Sequence, residues 1–233
     1  MISLVAFDAD DTLWHNETIF SLTQEKFKQL LSDYHGPDWI EKKLYETEMR
    51  NIHHFGYGVK GFTLSMIETA IELSEGRISG SQIKQIIELA KGMLKSPVKL
   101  LDHVKDTITL LSESYRLMLI TKGDLFDQES KIARSGLSRY FTHIEIVSGK
   151  QEDTYRNILH KHDIAAAEFL MVGNSMKSDI IPVIALGGTA VHIPYHITWE
   201  HETLEEPKNR DGYYTLDHIG QLPNLLENVK GER

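Results

Sequence analysis

The sequence predicts a doubly wound α/β domain, built on a parallel sheet, that carries an all-helical insert. Three observations carry this expectation. Short apolar runs recur at residues 2–7, 116–121, 143–148, 168–173 and 189–194. Helical patterns at 124–137, 152–162 and 177–186 separate the later runs. Between the first two runs, from about Thr18 to Glu113, the apolar residues follow helical spacing alone. Strands alternating with helices at these intervals mark βαβ units and hence a parallel sheet.

The first run, Ile2 to Phe7, stops abruptly at Asp8. Such a run reads as a strand buried on both faces, although periodicity alone also allows a short buried helix. In the insert, Ile83, Ile86, Ile87, Ala90 and Leu94 line one helical face; Leu101, Val104, Ile108 and Leu111 do the same for the next helix, with Pro97 as the boundary. Gly56, Gly58 and Gly61 in HFGYGVKGF break the insert near its middle, as a helix–helix connection requires. The predicted organisation is a core of residues 1–13 and 97–233 with a helical domain at 14–96. RLMLIT, HIEIVS, EFLMVG and TAVHIP supply the remaining strands. The polar stretch from Tyr195 to Asp211 is expected to be a surface loop beside the last strands, anchored by Trp199.

Composition narrows the function. Of 233 residues 41% are hydrophobic, enough to bury a core, and the absence of cysteine excludes disulfides, thiolate metal sites and cysteine nucleophiles. Twenty-five basic against 34 acidic residues give a net charge of −9, with no clustered Lys/Arg, which argues against a nucleic-acid partner. The first apolar run is too short for a membrane span and lacks a basic lead-in. The expectation is a cytoplasmic protein with no membrane or nucleic-acid partner. The histidine pairs His53/His54, His160/His162 and His192/His196 do not share a face that would suit a metal.

Ligands of open parallel sheets bind beyond the carboxyl ends of the strands. After the first run stands Asp8-Ala9-Asp10-Asp11-Thr12. Three carboxylates in four residues repel one another, and a hard divalent cation such as Mg²⁺ would compensate them. An acidic surface turn closing a strand satisfies the same pattern. Leu13 and Ile19 stand where a calcium loop of EF-hand type needs its glycine and bidentate acid. After the second run, Thr121-Lys122-Gly123-Asp124 offers a hydroxyl and free N–H groups to an oxyanion, or an ordinary capped turn. After the third, Lys150 can neutralise a phosphate or lie in solvent. After the fourth, GNSMKSD places the Asn174 carboxamide and the Asp179 carboxylate across a loop-to-helix junction. Four complementary polar clusters, each at its own strand end, argue for one site.

The order D-A-D-D-T, Thr121, Lys150, G-N-S-M-K-S-D resembles the four motifs of the haloacid dehalogenase (HAD) superfamily, and the insert resembles its C1-type cap. The resemblance implies a Rossmann-like core and a Mg²⁺-dependent phosphatase acting on a small phosphorylated metabolite. It assigns Asp8 as nucleophile and metal ligand, and Asp10 as general acid/base that also ligates through its backbone carbonyl. Thr121, Lys122 and Lys150 would hold the phosphate, and Asn174 and Asp179 would complete the Mg²⁺ site. Asp10 points to phosphate chemistry, because a departing halide needs no proton. The family pattern usually has aspartate where Asn174 stands, which predicts weaker metal binding. Trp14, His15, Tyr57 and Lys60 are candidates for substrate choice, with hinge packing and surface exposure as their plainer roles. A phosphotransferase or phosphomutase would use the same motifs, and a non-catalytic phospholigand-binding protein is the reading that Asn174 motivates.

Overall fold

A computed structural model describes residues 2–197, 199–204 and 212–231. The chain divides into two compact units. One comprises Met1–Glu17, Val98–Lys122 and Gln128–Arg233; the other comprises Thr18–Pro97 and Gly123–Asp127.

The first unit is built on six parallel strands: β1 (Leu4–Phe7), β2 (Arg116–Lys122), β3 (His143–Val147), β4 (Phe169–Gly173), β5 (Thr189–His192) and β6 (Tyr213–Thr215). Their order is β3-β2-β1-β4-β5-β6. The chain thus runs outward from β1 to one side, then returns to place β4 on the other. This reversal is the crevice where open α/β sheets bind ligands.

Why the strands read as unbroken apolar runs is visible in their two faces. Val5, Phe7, Leu117, Leu119, Leu170, Val172 and Val191 belong to one core, and Leu4, Ala6, Met118, Ile120, Phe169, Met171 and Ala190 to the other. Alternate residues face opposite ways, yet both directions are buried, so no polar alternation survives.

Four helices form the second unit: α1 (Glu17–Leu30), α2 (Pro37–Phe55), α3 (Val59–Leu73) and α4 (Gly80–Lys95). They bury a core of their own, including Phe27, Leu31, Ile40, Leu44, Phe62, Met66, Ile86 and Met93. The Ser79 side chain accepts the Gln82 N–H while Gln82 accepts the Ser79 N–H, a reciprocal cap that fixes the start of α4. Gly58 needs its freedom: its φ is +110°, and a Cβ there would stand 3.1 Å from the Asp124 nitrogen.

Among the described residues the remaining α-helices are α5 (Val104–Ser112), α6 (Leu125–Ser135), α7 (Glu152–Lys161), α8 (Ile181–Ala185) and α9 (Leu222–Gly231). Two features differ from the sequence expectation. The three-residue β6 carries no run long enough to signal a strand. The pattern at 177–186 is a π-turn over Met176–Ile180 followed by the short α8, where Pro182 supplies the first-turn proline. No helix among the described residues is long and apolar enough to cross a membrane.

Candidate active site

Asp8 is the residue at which β1 ends. Its N–H still bonds the Val172 carbonyl at 2.9 Å, so the ladder to β4 fixes its backbone, and its side chain is buried. The chain then turns tightly, with Thr12 and Leu13 N–H groups returning to the Ala9 carbonyl and Asp11 at φ +63°. Asp11 is not a third ligand-like carboxylate. It accepts the N–H groups of Asn16 and Glu17 at 2.8–3.0 Å, and burial, opposed by these bonds, pushes its carboxyl up to about 7.

Lys150 arrives from the loop after β3. Its ammonium is 1% exposed, donates to Asp8 Oδ1 and stands 2.8 Å from Asp179 Oδ1. Burial pushes Asp8 up to about 7, and the neighbouring Asp179 adds to this, while Lys150 opposes both. Lys150 itself is shifted further up: burial would lower it, but the Asp179 and Asp8 charges prevail.

Asp179 reaches Asp8's side through the π-turn. Its Oδ2 accepts the Ser175 N–H at 3.0 Å, and the Ser175 hydroxyl caps the turn by accepting the Ser178 N–H at 3.0 Å. The glycine before Asn174 follows from this geometry, since a Cβ on Gly173 would lie 2.2 Å from Asp179 Oδ2. Asn174 Oδ1 lies 3.1 Å from the Thr12 hydroxyl, which also stands 3.0 Å from Asp8 Oδ2. One hydroxyl proton serves one acceptor at a time, so Thr12 links the two oxygens without satisfying both. Thr121, at the end of β2, is buried.

Asp10 has partners the sequence did not suggest. Lys131 donates to both its oxygens at 2.8 and 2.7 Å, the Trp14 indole at 2.7 Å, and Gln128 at 2.8 Å. Trp14 is fully buried, in the core beside the turn. His15 Nδ1 lies 2.7 Å from the Tyr195 hydroxyl. Lys122, a candidate phosphate ligand, pairs with Glu202 and donates to Ser178 Oγ at 2.9 Å. Glu202 also accepts the Ser175 and Ser178 hydroxyls at 2.5 and 2.6 Å. Burial would raise Glu202, but the Lys122 charge and these donors hold it down at about 2. The segment after Tyr195 therefore does more than cover the last strands, and Trp199 is half-buried, its ring 4.9 Å from that of His201 and tilted by 48°. The expected loop continues into 205–211, outside the described residues.

In the helical unit, Tyr57 is half-buried between α2 and α3, and Lys60 pairs with Asp124 at 2.9 Å. Among the described residues no three acidic or histidine side chains gather into a metal-binding group. A cation beside Asp8 and Asp179 would therefore need carbonyl oxygens, which Asn174 and the Asp10 main chain can offer. An all-oxygen donor set of this kind, with two buried carboxylates, fits a hard dication such as Mg²⁺.

Lys131 and Gln128 lie three residues apart on α6, and their polar spacing is indistinguishable in sequence from a solvated helix face. Glu202 carried no signal either, being one of several acids in a polar stretch. Thr12 could have been found, as the hydroxyl inside the first motif.

The haloacid dehalogenase-like hydrolase family model matches residues 2–187. The chain is 24% identical over 244 residues to N-acylneuraminate-9-phosphatase of Mus musculus, covering 98% of this chain and 95% of that protein. It is 23% identical over 239 residues to glyceraldehyde 3-phosphate phosphatase of Methanothermobacter thermautotrophicus, covering 97% and 100%. A haloacid dehalogenase-like family hydrolase from Xanthomonas campestris superposes with a TM-score of 0.89 at 39% identity, covering 99% of this chain and 93% of that one.

Proposed function

The chain belongs to the haloacid dehalogenase-like hydrolase family, and within it we propose a Mg²⁺-dependent phosphomonoester hydrolase acting on a small phosphorylated metabolite. The observation that carries this reading is the pair of acids at the end of β1. Asp8 is buried against Lys150, and Asp10, two residues on, is oriented separately by Lys131, Gln128 and Trp14. A nucleophile and a distinct proton carrier are what ester cleavage needs, whereas halide departure needs no acid.

In this reading an Asp8 oxygen attacks phosphorus, the bond to the leaving oxygen breaks, and Asp10 delivers the proton to that oxygen. Asp10 then takes a proton from the water that hydrolyses the aspartyl-phosphate, returning Asp8. Lys150 and Thr121 hold the phosphoryl oxygens. Asp8, Asp179, Asn174 and the Asp10 carbonyl would hold Mg²⁺, which when bound offsets the repulsion between carboxylate and phosphate. The helical unit takes the part of the cap domain, 14–96, and Trp14, His15, Tyr57 and Lys60 remain candidates for substrate choice. The phosphatase-named relatives support phosphate ester chemistry at the level of the whole chain. The cytoplasm is the proposed location.

The test is phosphate release from p-nitrophenyl phosphate with and without Mg²⁺, comparing the protein with Asp8→Asn. Release that needs Mg²⁺ and disappears in the variant is the expected result. Asn174, a neutral group where the family usually has a carboxylate, favours as second reading a protein that binds phosphoesters without turning them over. Silence across a panel of phosphate esters and acceptors, with ligand-induced stabilisation retained, would select it.

A further inference from the structure

Glu202 occupies a donor set that has the form of an oxyanion site. Its Oε1 takes the Lys122 ammonium, and its Oε2 takes the hydroxyls of Ser175 and Ser178 at 2.5 and 2.6 Å. The set is ordered internally as well: the Ser178 hydroxyl accepts from Lys122 at 2.9 Å, and the Ser175 hydroxyl accepts the Ser178 N–H at 3.0 Å. Each donor stands beside a residue of the proposed site. Lys122 follows Thr121, Ser175 follows Asn174, and Ser178 precedes Asp179. Lys122 ends β2, Ser175 and Ser178 follow β4, and these two strands flank β1, so the set lies at the reversal in strand order.

The carboxylate comes from a turn that carries no buried apolar side chain among its described residues. Ile197 and Trp199 are only half-buried, and Leu204 is 49% exposed. Further polar contacts tie the turn to the π-turn, with the Lys177 ammonium 3.0 Å from the His201 carbonyl and 3.1 Å from His201 Nε2. A segment without buried apolar anchors sits at the low end of local stability. Exchanging one carboxylate for another would leave all three donors satisfied, so the usual penalty for stranding buried polar groups does not arise.

We propose that Lys122, Ser175 and Ser178 form a subsite for a carboxylate on the substrate, and that Glu202 is its internal occupant, displaced when substrate binds. The substrate class is then a phosphorylated carboxylic acid, its phosphate at Asp8 and its carboxylate at Lys122. This rests on the phosphatase reading for the position of the phosphate.

The test uses a matched pair, 3-phosphoglycerate and glycerol 3-phosphate, which differ by carboxylate against hydroxymethyl. Dissociation constants are measured by titration calorimetry with Mg²⁺ in the Asp8→Asn protein, so that nothing is turned over. The expected ratio favours 3-phosphoglycerate by about tenfold, the order of one charge-assisted contact. Adding Glu202→Gln should widen the ratio, because the competing charge is gone, and adding Lys122→Met should bring it near one. A ratio near one in the parent, or one that Glu202→Gln leaves unmoved or lowers, overturns the proposal. Common losses of folding or metal binding affect both esters and cancel in the ratio. Failure of the phosphatase reading shows separately, as no phosphate released from either ester by the protein with Asp8 intact.

Discussion

Replacing Lys150 by methionine removes the ammonium that stands against two buried carboxylates. Asp8 and Asp179 have side chains 9% and 1% exposed, and Lys150 itself is 1% exposed. Removing one member of such a group leaves buried carboxylates that must either stay charged without a partner or take up a proton, and costs about 3–5 kcal/mol, far more than a surface pair is worth. Each kcal/mol moves the melting temperature of a chain this long by about 2–4 °C, so Lys150→Met should melt about 6–20 °C lower at neutral pH without divalent metal. Methionine keeps most of the volume and the apolar stem, so the loss reports charge and not a cavity. The assay is calorimetry or circular dichroism on both proteins in chelator. The triple variant with Asp8→Asn and Asp179→Asn supplies the control, since it removes the stranded charges and should recover most of the loss. A shift below 2 °C for the single variant, or no recovery in the triple, would refute the assignment of Lys150 as the internal counter-charge of the site.

Three further outcomes follow from particular contacts. Glu202 is held at about 2 against an ordinary 4.5, which is worth at most roughly 3–4 kcal/mol. Because the folded value lies below the unfolded one, this stabilisation is present above about pH 4.5 and is lost as the pH falls towards 2. The melting-temperature gap between the protein and Glu202→Gln should therefore narrow from pH 6 to pH 3, and a constant gap would contradict it. Gly173→Ala places a Cβ on the Asp179 carboxylate, which must move; activity on p-nitrophenyl phosphate should fall by about 100-fold or more, as for loss of a charge-stabilising group. Wild-type turnover in that variant would show the close approach to be dispensable. Lys131→Met frees the Asp10 carboxylate from its two shortest cationic contacts. Its kcat should drop by about 10- to 100-fold with KM little changed, since general acid–base catalysis contributes that much or more; kcat within threefold of the parent would remove Lys131 from any positioning role.

Strands β1, β2, β4 and β5 were legible because a parallel sheet covered on both faces demands apolar residues at every position, and LVAF, LMLI and FLMV meet that demand locally. Asp8, Thr121, Lys150 and Asn174 were legible as candidates for the same reason: each breaks an apolar run, or follows one, where strand ends gather. The sequence by itself thus determined the layered α/β core, the helical insert and the identity of the strand-end groups. The tertiary structure alone decided which charges meet. Lys131 lies 121 residues from Asp10, and Glu202 lies 80 from Lys122. A lysine on a helix and a glutamate in a polar turn are ordinary surface residues by composition. Only the tertiary path of the chain brings them to half-buried partners, because long-range electrostatic pairing depends on the path of the backbone and leaves no local period to read.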